Sequence, residues 1–130
     1  MLTYMLLIDE DESKHAFFRW AIKTYNNGFR LLSASTGKEG LTIFRKVKPA
    51  ITFINFRLED MDGLNCLKKI KAFKNSADHP VYLFYMNCNE HLLKNAEQTG
   101  AAGCIASEGE ENGLTAFLFK TLAGTQKFSS

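Results

Sequence analysis

The sequence predicts an α/β fold in which helices cover both faces of one parallel sheet of five strands, a doubly wound arrangement. Two observations predict it. Short apolar runs of strand length alternate strictly with segments of helical periodicity. The first run, residues 4–8, is apolar throughout and ends abruptly at Asp9 and Glu10, which is typical of a central parallel strand buried on both faces. Strict alternation of this kind places the parallel strands between two layers of helices.

Each predicted strand is short and is bounded by polar or turn-forming residues. The strands are predicted at residues 4–8, 29–34, 51–55, 81–85 and 103–106. The third strand combines β-branched and aromatic residues, which favour extended backbone. The fourth strand follows Pro80, and the fifth is the briefest. We therefore expect five short strands whose polar ends alternate with helices.

A helix with one apolar stripe is predicted after each strand. The helices are predicted at residues 13 to about 25, 37–47, 62 to about 75, about 89–99 and about 111–122. Asn26, Asn27 and Gly28 should end the first helix, and Asp62 should cap the third. The stripes consist of Phe17, Trp20, Ala21 and Thr24 on the first helix, Leu41 and Phe44 on the second, Leu64, Leu67 and Ile70 on the third, Leu92, Leu93 and Ala96 on the fourth, and Leu114, Phe117 and Leu118 on the fifth.

Length and composition predict one small domain, at residues 1–123, with a tail at 124–130 that frays. The chain has 130 residues, of which 45% are hydrophobic and 23% charged, so a packed core is expected. Its formal charge is only +2, and we read the basic residues of the third helix as a solvated face without nucleic-acid binding. Neither a membrane span nor a signal peptide is recognisable, and we expect a cytoplasmic protein.

Cysteines and histidines give no metal or disulfide pattern. The residues concerned are Cys66, Cys88, Cys104, His15, His79 and His91. Three cysteines at wide spacing fit neither a disulfide framework nor a zinc site, so we expect reduced core thiols. No histidine has a partner at metal-ligand spacing. We interpret His15 as a surface residue near the acidic cluster and His79 as a loop residue.

The predicted strand ends carry the candidate site. In a doubly wound sheet, ligands bind beyond the carboxyl ends of the strands, where this sequence places Asp9, Glu10, Asn55, Tyr85 and Ser107. Carboxylates gathered there could hold Mg²⁺ through oxygen ligands. Acidic residues are equally common at the start of a helix, where they favour the dipole. Both interpretations of the acidic cluster stay open at this level.

The order of elements and these strand ends resemble the receiver domain of bacterial two-component response regulators. The resemblance covers Tyr4 to about Leu122, and it rests most on four segments, including a Met-Asp-Gly-Leu stretch and a Gly-Ala-x-Gly turn. The segments are residues 6–11, 49–64, 80–85 and 100–105. The resemblance implies a flavodoxin-like (βα)5 fold with strand order 2-1-3-4-5.

Typical receivers take a phosphoryl group on an aspartate that ends the third strand. Mg²⁺, a lysine after the fifth strand, a Ser or Thr after the fourth and an aromatic residue on the fifth complete that site. At the matching positions this chain has Asn55, Ser107, Tyr85 and Cys104, with Glu10 for the second acidic residue. An amide cannot form an acyl phosphate. Loss of the carboxylate and of the lysine together keeps the pocket charge balanced, which indicates a pseudo-receiver.

The resemblance implies a single-domain receiver-like protein in phosphorelay signal transduction. We predict that it is independent of phosphorylation, is not an enzyme, and binds another signalling protein, either a kinase or an output protein. Receivers use the fourth helix, fifth strand and fifth helix for this contact. That surface would contain Asn89, His91, Lys94, Asn95, Glu97, Glu108 and Glu110. Homodimerisation within a larger complex is a third hypothesis.

The competing hypothesis is a receiver that is still phosphorylated, with Mg²⁺, on an unusual carboxylate. Asp60 and Asp9 are the candidates, and Asp62 lies in the same loop as Asp60. Geometry disfavours the loop residues, because in-line transfer is set at the strand end. Weak Mg²⁺ binding by Asp9 and Glu10, with the backbone carbonyl of Arg57, is expected under either hypothesis.

Overall fold

The computed structural model describes residues 2–25, 28–86, 88–107 and 113–124. The strands are β1 (Thr3–Ile8), β2 (Phe29–Ala34), β3 (Ile51–Asn55), β4 (Val81–Tyr85) and β5 (Gly103–Ala106). The helices are α1 (Glu12–Tyr25), α2 (Gly37–Val47), α3 (Gly63–Lys71), α4 (Glu90–Thr99) and α5 (Gly113–Ala123), and a short 3₁₀ helix spans Ser76–Asp78. The predicted alternation of strands and helices is therefore confirmed.

The five strands form one parallel sheet in the order β2-β1-β3-β4-β5. This is the predicted order. Ile8 lies between Ala34 and Ile54 in the register, Asn55 pairs with Phe84, and the last residue of β4 pairs with Ala106. The carboxyl ends of the inner strands therefore meet at one edge, and the residues that follow them surround a common site.

The core consists of two apolar layers, one on each face of the sheet. Alternate residues of β1 divide between them, because successive side chains of a strand point to opposite faces. Met5 and Leu7 pack with residues of α1 and α5, whereas Leu6 and Ile8 pack with residues of α2, α3 and α4. A strand that is buried on both faces needs an apolar residue at every position, as the sequence of β1 has.

Helix α1 is rotated relative to the predicted stripe. Its buried residues are His15, Phe18, Ala21 and Ile22, whereas Trp20 is 56% exposed. Thr24 is also exposed, so the prediction was correct only for Ala21 and for Phe17, which packs partly against the core. The apolar residues of this helix cover more than one face, and contact with the sheet selects among them. Leu93 of α4, predicted to be buried, is likewise 37% exposed.

Helix α3 ends earlier than predicted. It ends at Lys71 instead of about residue 75, because Ala72 forms the C-cap. Asn75 then adopts a left-handed backbone with φ of 64°, a conformation that asparagine tolerates better than most residues. The predicted stop at Asn26 and Asn27, the predicted start of α5 at 111–112 and the tail at 125–130 lie outside the described residues. None of the helices in the described ranges has the length and apolar character that a bilayer span requires.

Candidate functional site

Asp9 is the buried acid of the site. It directly follows β1 and is 0% exposed. Its Oδ1 accepts a hydrogen bond of 3.0 Å from the Asp11 amide, and its own amide donates to Ala34 O at 3.0 Å. Its Oδ2 is buried and has no hydrogen-bond partner among the residues that the structure describes. A buried carboxylate oxygen of this kind requires a positive charge nearby.

Lys14 supplies that charge from the first turn of α1. Its Nζ lies 3.9 Å from Asp9 Oδ2 and 5.1 Å from the centroid of the Phe84 ring, where a cation–π contact also favours the ammonium. Sequence reasoning assigned no role to this lysine. The available signal was its position, since the helix dipole disfavours a cation in the first turn of a helix.

The other two acids of the cluster serve different purposes. Asp11 caps α1, because its Oδ1 accepts hydrogen bonds from the Ser13 amide at 3.0 Å and the Ser13 hydroxyl at 2.7 Å, and these bonds lower the pKa of Asp11. Partial desolvation and the neighbouring carboxylates of Glu59 and Asp9 raise the pKa of the exposed Glu10. The helix-start interpretation therefore holds for Asp11.

The donor set does not fit a tightly held Mg²⁺. Asp9 already faces an ammonium, and Glu10 is exposed beside another carboxylate. Across the described ranges, no group of three or more His, Cys, Asp or Glu side chains is arranged to hold a metal ion. Mg²⁺ needs several oxygen ligands in near-octahedral geometry. Weak binding by Asp9, Glu10 and the Arg57 carbonyl stays a prediction.

Asn55 ends β3 and turns its side chain onto the loop that follows. Its Oδ1 accepts a hydrogen bond of 3.0 Å from the Arg57 amide. Gly63 packs against the same backbone: its amide donates to Phe56 O at 2.7 Å, and a Cβ at Gly63 would lie 2.6 Å from Asn55 O. The start of α3 thus holds the end of β3 in place, and the side chain that ends β3 is an amide.

Tyr85 and Ser107 lie on opposite faces of the sheet. The half-buried Tyr85 ring packs edge-on against Phe56, with the ring centroids 5.3 Å apart. Ser107 lines a cavity of about 320 Å³ between α1 and α5, together with Ser13, Lys14, Phe17, Phe18, Leu114 and Thr115. A backbone hydrogen bond of 2.8 Å from the Ser107 amide to Tyr85 O joins the two positions. The residue after β5 is thus a serine, and Lys14 lines the same cavity from α1.

Cys104 lies on the face of β5 that packs against the α3 and α4 layer. Its Sγ is 2.7 Å from Sγ of Cys88, in the connection between β4 and α4. Both side chains are half-buried and both are free thiols, whereas Cys66 of α3 is buried. The prediction of core thiols is therefore correct for Cys66 only. The contact between Cys88 and Cys104 could not be predicted from their wide spacing in the sequence.

Asp60 and Asp62 each accept hydrogen bonds at the start of a helix, where Asp60 supplements Thr36, the N-cap residue of α2. Asp60 Oδ1 and Oδ2 accept hydrogen bonds of 2.9 Å from the amides of Gly37 and Lys38, at the start of α2. Partial burial opposes these bonds, but together with further backbone donors they lower the pKa of Asp60. Asp62 accepts from the Asn65 amide at 2.7 Å and caps α3 as predicted. Both side chains therefore have structural partners at the start of a helix.

His15 is buried, which corrects its interpretation as a surface residue. It is 3% exposed. Its Nε2 lies 2.7 Å from the backbone oxygen of Asp9, and its Nδ1 lies 2.9 Å from Ser33 Oγ. A carbonyl can only accept, so Nε2 carries the proton. The ring links α1 to the ends of β1 and β2.

The geometry and the comparisons with known proteins agree on the family. The family model of the response regulator receiver domain matches residues 5–119. This chain belongs to that family and carries a receiver domain of two-component signalling. The transcriptional regulatory protein ZraR of Escherichia coli K12 is 25% identical over 126 residues, which are 97% of this chain and 28% of that protein. The chain thus spans less than a third of the length of this curated relative.

Solved structures share the fold at low sequence identity. The chemotaxis response regulator CheY4 of Vibrio cholerae superposes with a TM-score of 0.78 at 15% identity, covering 98% of each chain. The signal receiver domain of merR from Colwellia psychrerythraea 34H gives 0.81 at 16%, covering 96% of this chain and 98% of that one. The receiver domain of sensor histidine kinase PA1611 from Pseudomonas aeruginosa PAO1, solved with magnesium in its active-site cleft, gives 0.75 at 16%, covering 95% and 99%.

Proposed function

We propose that this chain is a pseudo-receiver of two-component signalling. It keeps the receiver fold, accepts no phosphoryl group, catalyses no reaction, and acts by binding another signalling protein. The observation that carries this proposal is Asn55 at the end of β3, with its Oδ1 engaged by the Arg57 amide at 3.0 Å. An amide at the acceptor position lacks the nucleophilic carboxylate that phosphoryl transfer requires.

The geometry of the other carboxylates supports this proposal over an unusual acceptor. Both oxygens of Asp60 accept backbone hydrogen bonds at the start of α2. Asp9 is wholly buried and faces Lys14. A nucleophile must approach phosphorus in line and within about 3.5 Å. Asp60 could do so only by uncapping α2, and Asp9 only by leaving its ammonium partner.

Two further residues of the site support the loss of the conformational switch that a typical receiver undergoes. Tyr85 takes the place of the short hydroxyl, and its ring is packed against Phe56 at 5.3 Å. Cys104 takes the place of the aromatic switch residue on β5. In a typical receiver, a hydroxyl side chain moves toward the bound phosphoryl group, and this movement is part of the conformational switch. The Tyr85 ring packs against Phe56, so we expect no such movement here. We infer that the surface formed by α4, β5 and α5 stays in one conformation.

This α4-β5-α5 surface is the binding site that we propose for the partner, a kinase or an output protein. Its described members include the exposed His91, Lys94 and Glu97, and Asn89, which caps α4 by accepting from the Leu92 amide at 2.8 Å. The partly exposed Leu93 lies on the same helix. Charged groups around one apolar side chain suit a transient protein contact. Asn95 is half-buried, and Glu108 and Glu110 lie outside the described residues.

A phosphoryl-transfer experiment tests the proposal. The native protein and the Asn55→Asp variant are incubated with acetyl phosphate and Mg²⁺, and their intact masses are compared. We expect no phosphoryl adduct on the native chain. A phosphoryl adduct on the native chain would refute the proposal, and peptide mapping would then identify Asp60 or Asp9.

A second readout reports on the switch itself. Amide NMR spectra of the native chain are recorded with Mg²⁺, before and after beryllofluoride, which mimics a phosphoryl group on a carboxylate. We expect no shifts that extend from the pocket to α4 and β5. Shifts that spread across the α4-β5-α5 surface would show that the domain is still a regulated switch.

Analytical ultracentrifugation of the same sample tests the hypothesis of a homodimer.

A further inference from the structure

Two cysteines that are far apart in sequence lie in contact at the edge of the α4-β5-α5 surface. Cys88 directly precedes Asn89, the N-cap of α4, and Cys104 is the second residue of β5. Their Sγ atoms are 2.7 Å apart, whereas a disulfide bond is about 2.05 Å long. The two sulfurs are therefore close to bonding distance.

The surroundings of the two sulfurs allow oxidation. Both side chains are half-buried, so a small oxidant can reach the pair, whereas Cys66 is buried in the α3 layer. Burial, and then the hydrogen bond with Cys88, raises the pKa of Cys104 to about 12. Thiolates react with oxidants and thiols do not. Because the two sulfurs are in contact, either one can be oxidised and then resolved by the other.

We propose that Cys88 and Cys104 are a site of reversible oxidation, at which a hydroperoxide converts two thiols to an intramolecular disulfide. The thiolate of one cysteine attacks the peroxide, the O–O bond breaks, and a sulfenic acid forms. The sulfur of the other cysteine then attacks the sulfenic sulfur. The S–S bond forms as the S–O bond breaks, and the protons leave in water. Two thiols and one hydrogen peroxide give one disulfide and two waters, and two electrons pass from sulfur to oxygen.

The disulfide would tie the start of α4 to β5. Cys104 pairs with Leu83 in the sheet, so its backbone is held by β4, whereas Cys88 lies in the connection before α4. Joining them restricts the first turn of α4, where Asn89 accepts from the amides of Leu92 and Leu93. The oxidation of Cys88 and Cys104 to a disulfide does not depend on the proposed function. Only the consequence, a partner surface that responds to oxidants, depends on it.

Thiol counting tests the site on the native chain. The protein is treated with hydrogen peroxide, quenched, unfolded and alkylated, and the adducts are located by peptide mass spectrometry. We expect the loss of two of the three alkylatable thiols, a mass loss of two hydrogens before alkylation, and full recovery with dithiothreitol. Cys66 should stay alkylatable, because burial raises the pKa of its thiol to about 12. Three alkylatable thiols after treatment, or a disulfide between two chains, would overturn the proposal.

Single variants of each cysteine identify the two sulfurs that form the bond. Cys88→Ser and Cys104→Ser should each abolish the intramolecular disulfide, whereas Cys66→Ser should leave it intact. If one of the first two variants does not fold, the other and the native chain still decide the question. An intramolecular disulfide that persists in Cys88→Ser would refute the assignment. Beryllofluoride titration of the reduced chain tests the proposed function separately, because it involves neither sulfur.

Discussion

The ammonium of Lys14 lies 3.9 Å from the buried Oδ2 of Asp9. This ion pair changes how charge is balanced in the pocket. The sequence predicts that the changes at positions 55 and 107 compensate each other, and this stays a prediction. The charge that remains on Asp9 is met by a lysine from α1, which also sits over Phe84. Asp9 therefore has a positively charged partner within this chain.

Replacing Lys14 should both weaken folding and strengthen Mg²⁺ binding. Lys14→Met leaves Asp9 buried without an opposite charge, and we expect a loss of about 1–3 kcal/mol in the free energy of unfolding, below the cost for a fully buried pair. The freed carboxylate oxygen should bind Mg²⁺ more tightly than in the native chain. Urea denaturation and NMR titration with Mg²⁺ measure both. Lys23→Met, at an exposed position of the same helix, is the control. Equal Mg²⁺ affinity in the native chain and Lys14→Met would contradict the role of the ion pair.

Asp60 should stabilise the fold only while it is ionised. Its folded pKa is lowered, so its contribution is present above the ordinary aspartate pKa of about 3.9 and is lost as the pH falls through the lower folded value. Asp60→Ala should cost about 1 kcal/mol at pH 7, as the loss of a helix cap does. It should also reduce the decline in stability below about pH 4. Denaturation midpoints from pH 7 to pH 2 check this. Asp78→Asn, an exposed acid, should behave like the native chain, and an unchanged acid profile in Asp60→Ala would count against the cap.

His15 should be a structural residue whose proton is on Nε2. His15→Ala removes the partner of Asp9 O and of Ser33, and an unsatisfied buried acceptor costs about 1–3 kcal/mol. The ¹⁵N shifts of the ring in the native protein should report the Nε2–H tautomer at neutral pH. His91→Ala removes an exposed ring from α4 and should change stability little. A native spectrum with the proton on Nδ1 would contradict the assigned hydrogen bonds.

Gly63 should not tolerate a side chain. An added Cβ would lie 2.7 Å from Phe56 Cα and 2.6 Å from Asn55 O, and backbone atoms cannot move aside easily. Gly63→Ala should therefore cost about 1–3 kcal/mol, as overpacking does, and should disturb the amide signals around Asn55. Thermal unfolding and NMR measure these effects. At Gly124 an added Cβ meets only Lys120 O at 3.4 Å, so Gly124→Ala is the control. Equal stability of the two variants would show that α3 can shift away from β3.

The sequence by itself determined the strands, the helices and the positions around the site. Period-two and period-3.6 apolar patterns extend over only a few residues, and the ends of the strands follow from them. The order of the strands was implied by the resemblance to receiver domains. It also led to the prediction that Asn55 occupies the acceptor position, where one residue type decides whether an acyl phosphate can form.

Only the tertiary structure decided which side chains meet. Helix α1 has apolar residues on more than one face, and its contact with the sheet buried His15 and left Trp20 exposed. The pairing of Lys14 with Asp9 depends on how the start of α1 returns toward β1. The contact between Cys88 and Cys104 joins positions 16 residues apart, across a helix that the chain must first form and pack. Such contacts depend on the rotation of a helix and on the register of a sheet, and no local pattern encodes either.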